Sequence, residues 1–169
     1  MRVFSRIASI LLVSSLVSAT VSCSPTPSQA HQSLKVLISV DMEGIAGVVT
    51  SSECNASGPD YDRFRKIMTE EANAAVRAAL DAGATEVVVR DSHGSARNIF
   101  PDLLHEEAKL LRGWSGGPLG MVEGVDETFD AVLFIGYHAK AGTPNGIIAH
   151  TMSGNVADLT INGTSLPGR

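Results

Sequence analysis

The chain is poor in most of the residues that announce a specialised architecture. Only two of its 169 residues are cysteines, Cys23 and Cys54, too few for the disulfide framework of a small secreted scaffold. Aromatic residues make up 5% and charged residues 18%. Lysine and arginine form no cluster, and the balance of 13 basic against 18 acidic groups gives a formal charge of −5. That balance speaks against nucleic acid as a main partner, because neutralising phosphate needs a basic footprint. No apolar run reaches the roughly 20 residues that a stable membrane-spanning helix needs. Familiar catalytic signatures are missing as well. There is no Gly-x-x-x-x-Gly-Lys-Ser/Thr phosphate loop, no Gly-x-Gly-x-x-Gly after the first strand, no Gly-x-Ser-x-Gly elbow and no His-Glu-x-x-His helix. What remains, with 44% hydrophobic residues, is the composition of one soluble globular domain.

The first thirty residues read as a targeting segment. Arg2 and Arg6 precede an apolar run from Ile7 to Ala19, and Ser, Pro and Thr follow it. This is the layout of a secretory signal peptide over residues 1–30. Two processing sites are open: a cut after Ser28-Gln29-Ala30, or lipoprotein-type processing at Cys23, which gives a leader to residue 22 and a lipid anchor. Either way the destination is periplasmic or extracellular, and a membrane is a partner only if Cys23 is lipidated. Cutting at Ala30 leaves about 139 residues with a charge near −7 and Cys54 as the single thiol. A chain of that size buries roughly two thirds of its unfolded surface, enough for one core.

Beyond the leader, strand and helix alternate. Lys35 to Val40 (KVLISV) is a β-branched apolar run that ends abruptly at Asp41, which predicts a buried strand. From Asp62 to Ala82, the apolar positions Phe64, Ile67, Met68, Ala72, Ala75, Val76 and Ala79 have helical spacing. Asp60 or Asp62 caps that helix and Gly83 closes it. Glu86 to Val89 (EVVV) predicts a second buried strand, parallel to the first as in any βαβ unit. Asp102 to Leu111 is expected to be a short helix, Ala131 to Ile135 (AVLFI) a third buried strand, and Val156 to Ile161 a weak edge strand. The fold class is therefore α/β, three-layered around a mostly parallel sheet.

The polar residues repeat this organisation. Asp41 and Glu43 follow the first strand, Asp91 and His93 the second, and His138 the third. In open α/β sheets the carboxyl ends of parallel strands converge on one crevice, where ligands bind. Carboxylates and imidazoles gathered there suit Zn²⁺, Mn²⁺ or a similar ion, and a shared carboxylate can bridge two of them. His105, beside Glu106 and Glu107, is expected on a solvated helix face. His31 lies at the processed N-terminus, and Cys54 falls in a polar loop. A flavodoxin-like cofactor binder would need a phosphate cradle after the first strand, where Asp41 and Glu43 would repel phosphate.

Several segments together resemble the DppA-type zinc-dependent D-aminopeptidases. They are Ser39-Val40-Asp41-Met42-Glu43-Gly44-Ile45 with Gly47, Ile67-Met68-Thr69-Glu70-Glu71-Ala72-Asn73, Asp91-Ser92-His93-Gly94, Met121-Val122-Glu123-Gly124 with Phe129, Gly136-Tyr137-His138-Ala139, and His150-Thr151-Met152. The likeness runs from Lys35 to Gly163 in order and spacing. It implies a centre of two zinc ions held by Asp41, Glu43, His93 and His138, with Asp41 bridging and His150 as the catalytic histidine. It further implies removal of N-terminal D-residues such as D-Ala from short peptides, and a ring-shaped homo-oligomer. The family's pattern continues past the segment resembling Ile161-Asn162-Gly163 to a Gly-Glu metal ligand and about a hundred further residues. This sequence reads Thr164 to Arg169 instead. Residues 34–169 therefore read as the N-terminal part of such a domain, expected to bind nearer one zinc than two and to work at least about a hundredfold below a full-length relative. The competing reading is an inactive exported fragment, or a metal-binding or interaction domain without catalysis.

The export reading has a direct check. Protein made in a bacterial host is expected to begin at His31 or at a lipidated Cys23, as intact mass or N-terminal sequencing will read, and a chain that keeps Met1 would contradict both.

Overall fold

The computed structural model describes residues 33–166; the leader, Cys23 and His31 lie outside the described residues. The chain runs β1 (Leu34–Val40), α1 (Ser51–Cys54), α2 (Tyr61–Asp81), β2 (Ala84–Asp91), β3 (Ala108–Leu111), a 3-10 turn (Gly120–Val122), β4 (Ala131–Ile135), β5 (Thr160–Ile161) and β6 (Thr164–Ser165). The first four strands form one sheet in the order β3-β2-β1-β4, and every pairing is parallel. This is an α/β fold. Among the described residues, no helix is long and apolar enough to cross a membrane.

Alternation along β1 assigns its two faces. Val36, Ile38 and Val40 pack with Val87 and Val89 of β2 against Phe64, Met68, Ala72 and Val76 of α2. Each large apolar side chain buried there contributes roughly 1.5–3 kcal/mol. α2 begins after Asp60, and Gly83 follows it with φ +96°, so both helix boundaries agree with the sequence pattern. Asp60 makes no side-chain cap; Asp62 pairs with Arg65 instead, at 3.2 Å. On the opposite face the covering layer is the irregular segment 112–125 rather than a long helix. Arg90 is fully buried beneath it, 4.4 Å from the Trp114 ring centroid and 3.2 Å from the Glu123 carboxylate. Burial lowers the pKa of this guanidinium, against the pull of Glu123.

Three expectations need correction. Residues 102–111 do not form a helix: turns run to Glu107, and Ala108–Leu111 becomes edge strand β3, pairing with Val87 to Arg90. Ala108 and Leu110 pack on the core while Lys109 faces out, so sheet pairing overrides a pattern too short to fix a period. The strand at Ala131–Ile135 exists, but as the other edge of the sheet, with Phe134 56% exposed. The weak terminal strand pairs with β6 in a separate two-stranded hairpin.

Order 3-2-1-4 reverses direction between β1 and β4, and the loops after these two strands touch. Asp41 N–H donates to Ile135 O at 2.8 Å and Gly44 N–H to Gly136 O at 2.7 Å. A Cβ at Gly44 would collide with the Tyr137 carbonyl oxygen, and one at Gly136, where φ is +68°, with the Asp41 carbonyl oxygen. Gly154 is the control, because nothing lies within 4 Å of the Cβ it would gain. Gly44→Ala is expected to destabilise the protein by about 1–3 kcal/mol in denaturant unfolding, as overpacking against fixed backbone does, and Gly154→Ala by less than about 0.5. Equal effects would contradict the contact.

Candidate metal centre

The contact between these loops brings four chain segments to one place. Asp41 leaves β1 fully buried, and its Oδ1 accepts from the Met42 N–H at 2.9 Å. The loop beyond it is anchored by buried Met42, Ile45 and Val48, and Glu71 of α2 accepts from Ala46 N–H at 2.8 Å. This fixes Glu43 as well. His93 follows β2, and His138 follows β4. The chain then doubles back, with His150 N–H donating to Ala139 O at 3.2 Å and Ala141 N–H to the Thr151 hydroxyl at 3.1 Å. The His150 ring thereby stacks on His138 at 3.8 Å between centroids.

The donor atoms interlock. His93 Nδ1 lies 3.3 Å from Asp41 Oδ1 and 2.9 Å from Glu43 Oε2. His138 Nε2 lies 3.7 Å from the other Asp41 oxygen, and His150 Nε2 lies 3.8 Å from the other Glu43 oxygen. Each carboxylate therefore gives one oxygen to His93 and one to the histidine pair. Ligands about 2.0–2.1 Å from a tetrahedral ion sit roughly 3.3 Å from one another, so these separations fit zinc. Two three-residue sets qualify among the described residues, Asp41-Glu43-His93 and Glu43-His138-His150. Glu43 belongs to both.

Each imidazole is also tied at its far nitrogen. His93 Nε2 donates to Cys54 O at 2.9 Å, His138 Nδ1 to Ala139 O at 2.9 Å, and His150 Nδ1 to Ile148 O at 2.7 Å. A backbone carbonyl on one ring nitrogen leaves the other as the lone-pair donor of the neutral ring. That is the tautomer a metal ligand needs. Without an ion, His93 carries a proton in its place. Burial alone would lower its pKa, but hydrogen bonds to Asp41 and Glu43 outweigh it and raise it to about 10. Burial would raise Glu43, yet His93 brings it down to about 2. His138 is pushed below 6.5, first by burial and then by stacked His150.

Not every sequence candidate arrives here. Asp91 turns away and serves the loop behind His93. His105 sits in a turn, where its backbone N–H donates to Asn73 Oδ1 at 2.7 Å and its Nδ1 accepts from Glu107 N–H at 3.3 Å. Cys54 is buried at the end of α1 rather than in a polar loop, and burial first, with Glu43 and Asp41 nearby, pushes its thiol up to about 12. Its carbonyl, invisible to a search for reactive side chains, is what reaches His93. The signal in the sequence is Thr50-x-x-Glu53, a helix-start pair in which Glu53 Oε2 accepts from Val49 and Thr50 N–H and sets α1 in place.

A parallel sheet with a carboxylate–imidazole cluster at the carboxyl ends of its strands defines an α/β protein whose donor groups could hold a metal ion. The sequence profile of the D-aminopeptidase family of peptidases matches residues 34–167, and the chain belongs to that family. A curated D-aminopeptidase of Bacillus subtilis (strain 168) is 45% identical over 129 residues, covering 76% of this chain and 46% of that one. The solved structure of the zinc-dependent D-aminopeptidase DppA from Bacillus subtilis, a self-compartmentalizing protease, superposes with a TM-score of 0.75 at 43% identity, over 79% of this chain and 48% of that one. The chain spans about half the length of these relatives.

The two shifted groups set a pH window for the metal-free protein. His93, raised from 6.5 to about 10, stabilises the fold fully below pH 6.5 and loses that contribution as pH climbs through 10. Glu43, lowered from 4.5 to about 2, stabilises it above pH 4.5 and loses this as pH falls through 2. Denaturant midpoints measured in chelator are expected to peak between about pH 4.5 and 6.5. In saturating zinc the alkaline decline should flatten, because metal and proton compete for His93. Identical profiles with and without zinc would contradict this.

Proposed function

We propose that this centre binds zinc and serves the hydrolysis of N-terminal D-amino acids, such as D-Ala, from short peptides. One observation carries the reading: three imidazoles, each tied by one nitrogen to a backbone carbonyl, turn the other toward two shared carboxylates at 2.9–3.8 Å. The activities and zinc dependence of the relatives support it, and the preference for D-residues is taken from them. Asp41, Glu43, His93 and His138 would hold the metal. Asp41 lies between His93 and His138, and Glu43 between His93 and His150. The chain thus offers sites for one or two zincs. Zinc, when bound, supplies a Lewis acid that polarises the scissile carbonyl and acidifies water. The carboxylates supply negative charge that suits the free α-amine of a peptide. His150 is the proton-transfer group at Nε2, since its Nδ1 is held by Ile148 O and stacking on His138 fixes the ring plane.

The wider setting follows from the leader and the relative. The protein is exported to the periplasm or beyond, lipid-anchored if Cys23 is processed, and a homo-oligomeric ring agrees with the self-compartmentalizing relative. A second reading, an exported metal-binding or interaction domain without catalysis, draws on the exposed apolar groups Trp114, Leu119, Phe134 and Met152.

Zinc content by mass spectrometry and hydrolysis of a D-alanyl peptide together decide. Asp41→Ala is expected to lose more zinc than any other single change, and His93→Gln to lower both zinc and turnover. His105→Gln should leave both within about twofold of the parent, because that ring lies outside the centre. Zinc bound without any turnover favours the non-catalytic reading. Equal zinc in parent and Asp41→Ala would refute the assignment.

A further inference from the structure

Between β2 and the segment leading to β3, the chain makes a loop that presents His93 and returns at Asn98. Asp91 is fully buried, and its Oδ2 accepts from Asn98 N–H at 2.5 Å and Ile99 N–H at 2.8 Å, while Oδ1 accepts from Asn98 Nδ2 at 2.7 Å. The second Nδ2 hydrogen goes to the His93 carbonyl at 2.6 Å. Asn98 Oδ1 accepts from the Tyr61 hydroxyl at 2.5 Å, and the Asn98 backbone carbonyl accepts from Arg65 Nε at 2.7 Å. Asn98 is 1% exposed, with both side-chain polar atoms used. One side chain therefore ties three things together: the end of β2, helix α2 and the backbone of His93.

We infer that Asn98 is a positioning residue for the metal centre, holding His93 through a clamp whose other jaw is Asp91. This rests on the proposed metal-binding role of His93. The chemistry of the position admits little else. Two donors and one acceptor are needed at short reach. Aspartate lacks the donors and would set a second carboxylate against Asp91, leucine has neither donor nor acceptor, and glutamine is one methylene too long for a buried slot. The geometry downstream is equally constrained. His93 reaches Cys54 O with one nitrogen and Glu43 with the other, both at 2.9 Å, with Asp41 at 3.3 Å, so a shift of its backbone breaks one contact or the other. Metal ligands tolerate only about 0.2 Å.

The test measures zinc affinity of the full chain by competition with a chromophoric chelator, with circular dichroism as the check on folding. Asn98→Leu is expected to weaken zinc binding about 10–100-fold, the range for groups that orient a ligand. In a His93→Gln background the same change should cost less than about twofold, because the residue it orients is gone. An unchanged affinity, or an equal loss in both backgrounds, would overturn the inference in favour of general structural support. If Asn98→Leu does not fold, Tyr61→Phe removes only the hydroxyl on Asn98 Oδ1. A loss of about twofold or more that vanishes with His93→Gln supports the clamp, and no loss overturns it. A second readout needs no metal. The His93 Nε2 proton donated to Cys54 should exchange at least about tenfold faster in Asn98→Leu or Tyr61→Phe, relative to β1 amides, in ¹⁵N-edited spectra, and unchanged exchange would overturn the clamp. A parent that binds no zinc retires the metal reading while this spectrum still decides on Asn98.

Discussion

Everything at the centre depends on how closely two loop backbones approach. Gly44 N–H donates to Gly136 O at 2.7 Å with no room for a side chain at either glycine. Because Asp41 and Glu43 precede one glycine by three residues and one, and His138 follows the other by two, this contact sets the separation of the donors on either side of the sheet's switch point. The adjacent β1–β2 pairing does the same for His93, since Val40 is in register with Asp91. Backbone hydrogen bonds, rather than attraction among the ligands, assemble the site. That matters physically, for buried carboxylates and imidazoles would not gather without a scaffold that offsets their desolvation.

Assembled this way, the centre sets two largely buried carboxyl groups against one imidazole and favours a cation between them. The proton on His93 fills that role in the metal-free protein, which is why its pKa stands near 10 while Glu43 stands near 2. On the proposed reading a divalent ion would meet the same need more fully, and the backbone carbonyls on the far nitrogens of His93 and His138 already favour the tautomer it would require. Affinity in such a site comes from orientation arranged in advance by the surrounding chain, through groups as plain as the Cys54 carbonyl and the Asn98 amide.

How much of this the sequence carries depends on the length of the signal. β1, α2 and β2 are legible because seven, twenty-one and eight residues repeat one period or one composition. β3 is not, because Ala108–Leu111 is four residues long and its strand character comes from pairing with β2. The site candidates follow the same logic. Asp41, Glu43, His93 and His138 stand at strand ends, which the parallel topology gathers at one edge of the sheet before the loop contact sets their spacing. Asp91 stands there too, and only the loop's return at Asn98 distinguishes a structural carboxylate from a ligand. His150 depends on a chain reversal that places left-handed residues at Asn145, Ile148 and Met152. No periodicity announces it, so its role there came from family likeness. Cys54 reads as a loop residue because α1 is a single turn amid polar neighbours, although the residue is core.

X-ray absorption at the zinc edge of the loaded protein tests the central claim most directly. Carboxylate and imidazole ligands from the strand ends, with Cys54 contributing only its carbonyl to His93, predict a shell of nitrogen and oxygen scatterers at about 2.0–2.2 Å with the outer signature of imidazole rings. A sulfur scatterer near 2.3 Å, or zinc surrounded by water alone, would contradict it.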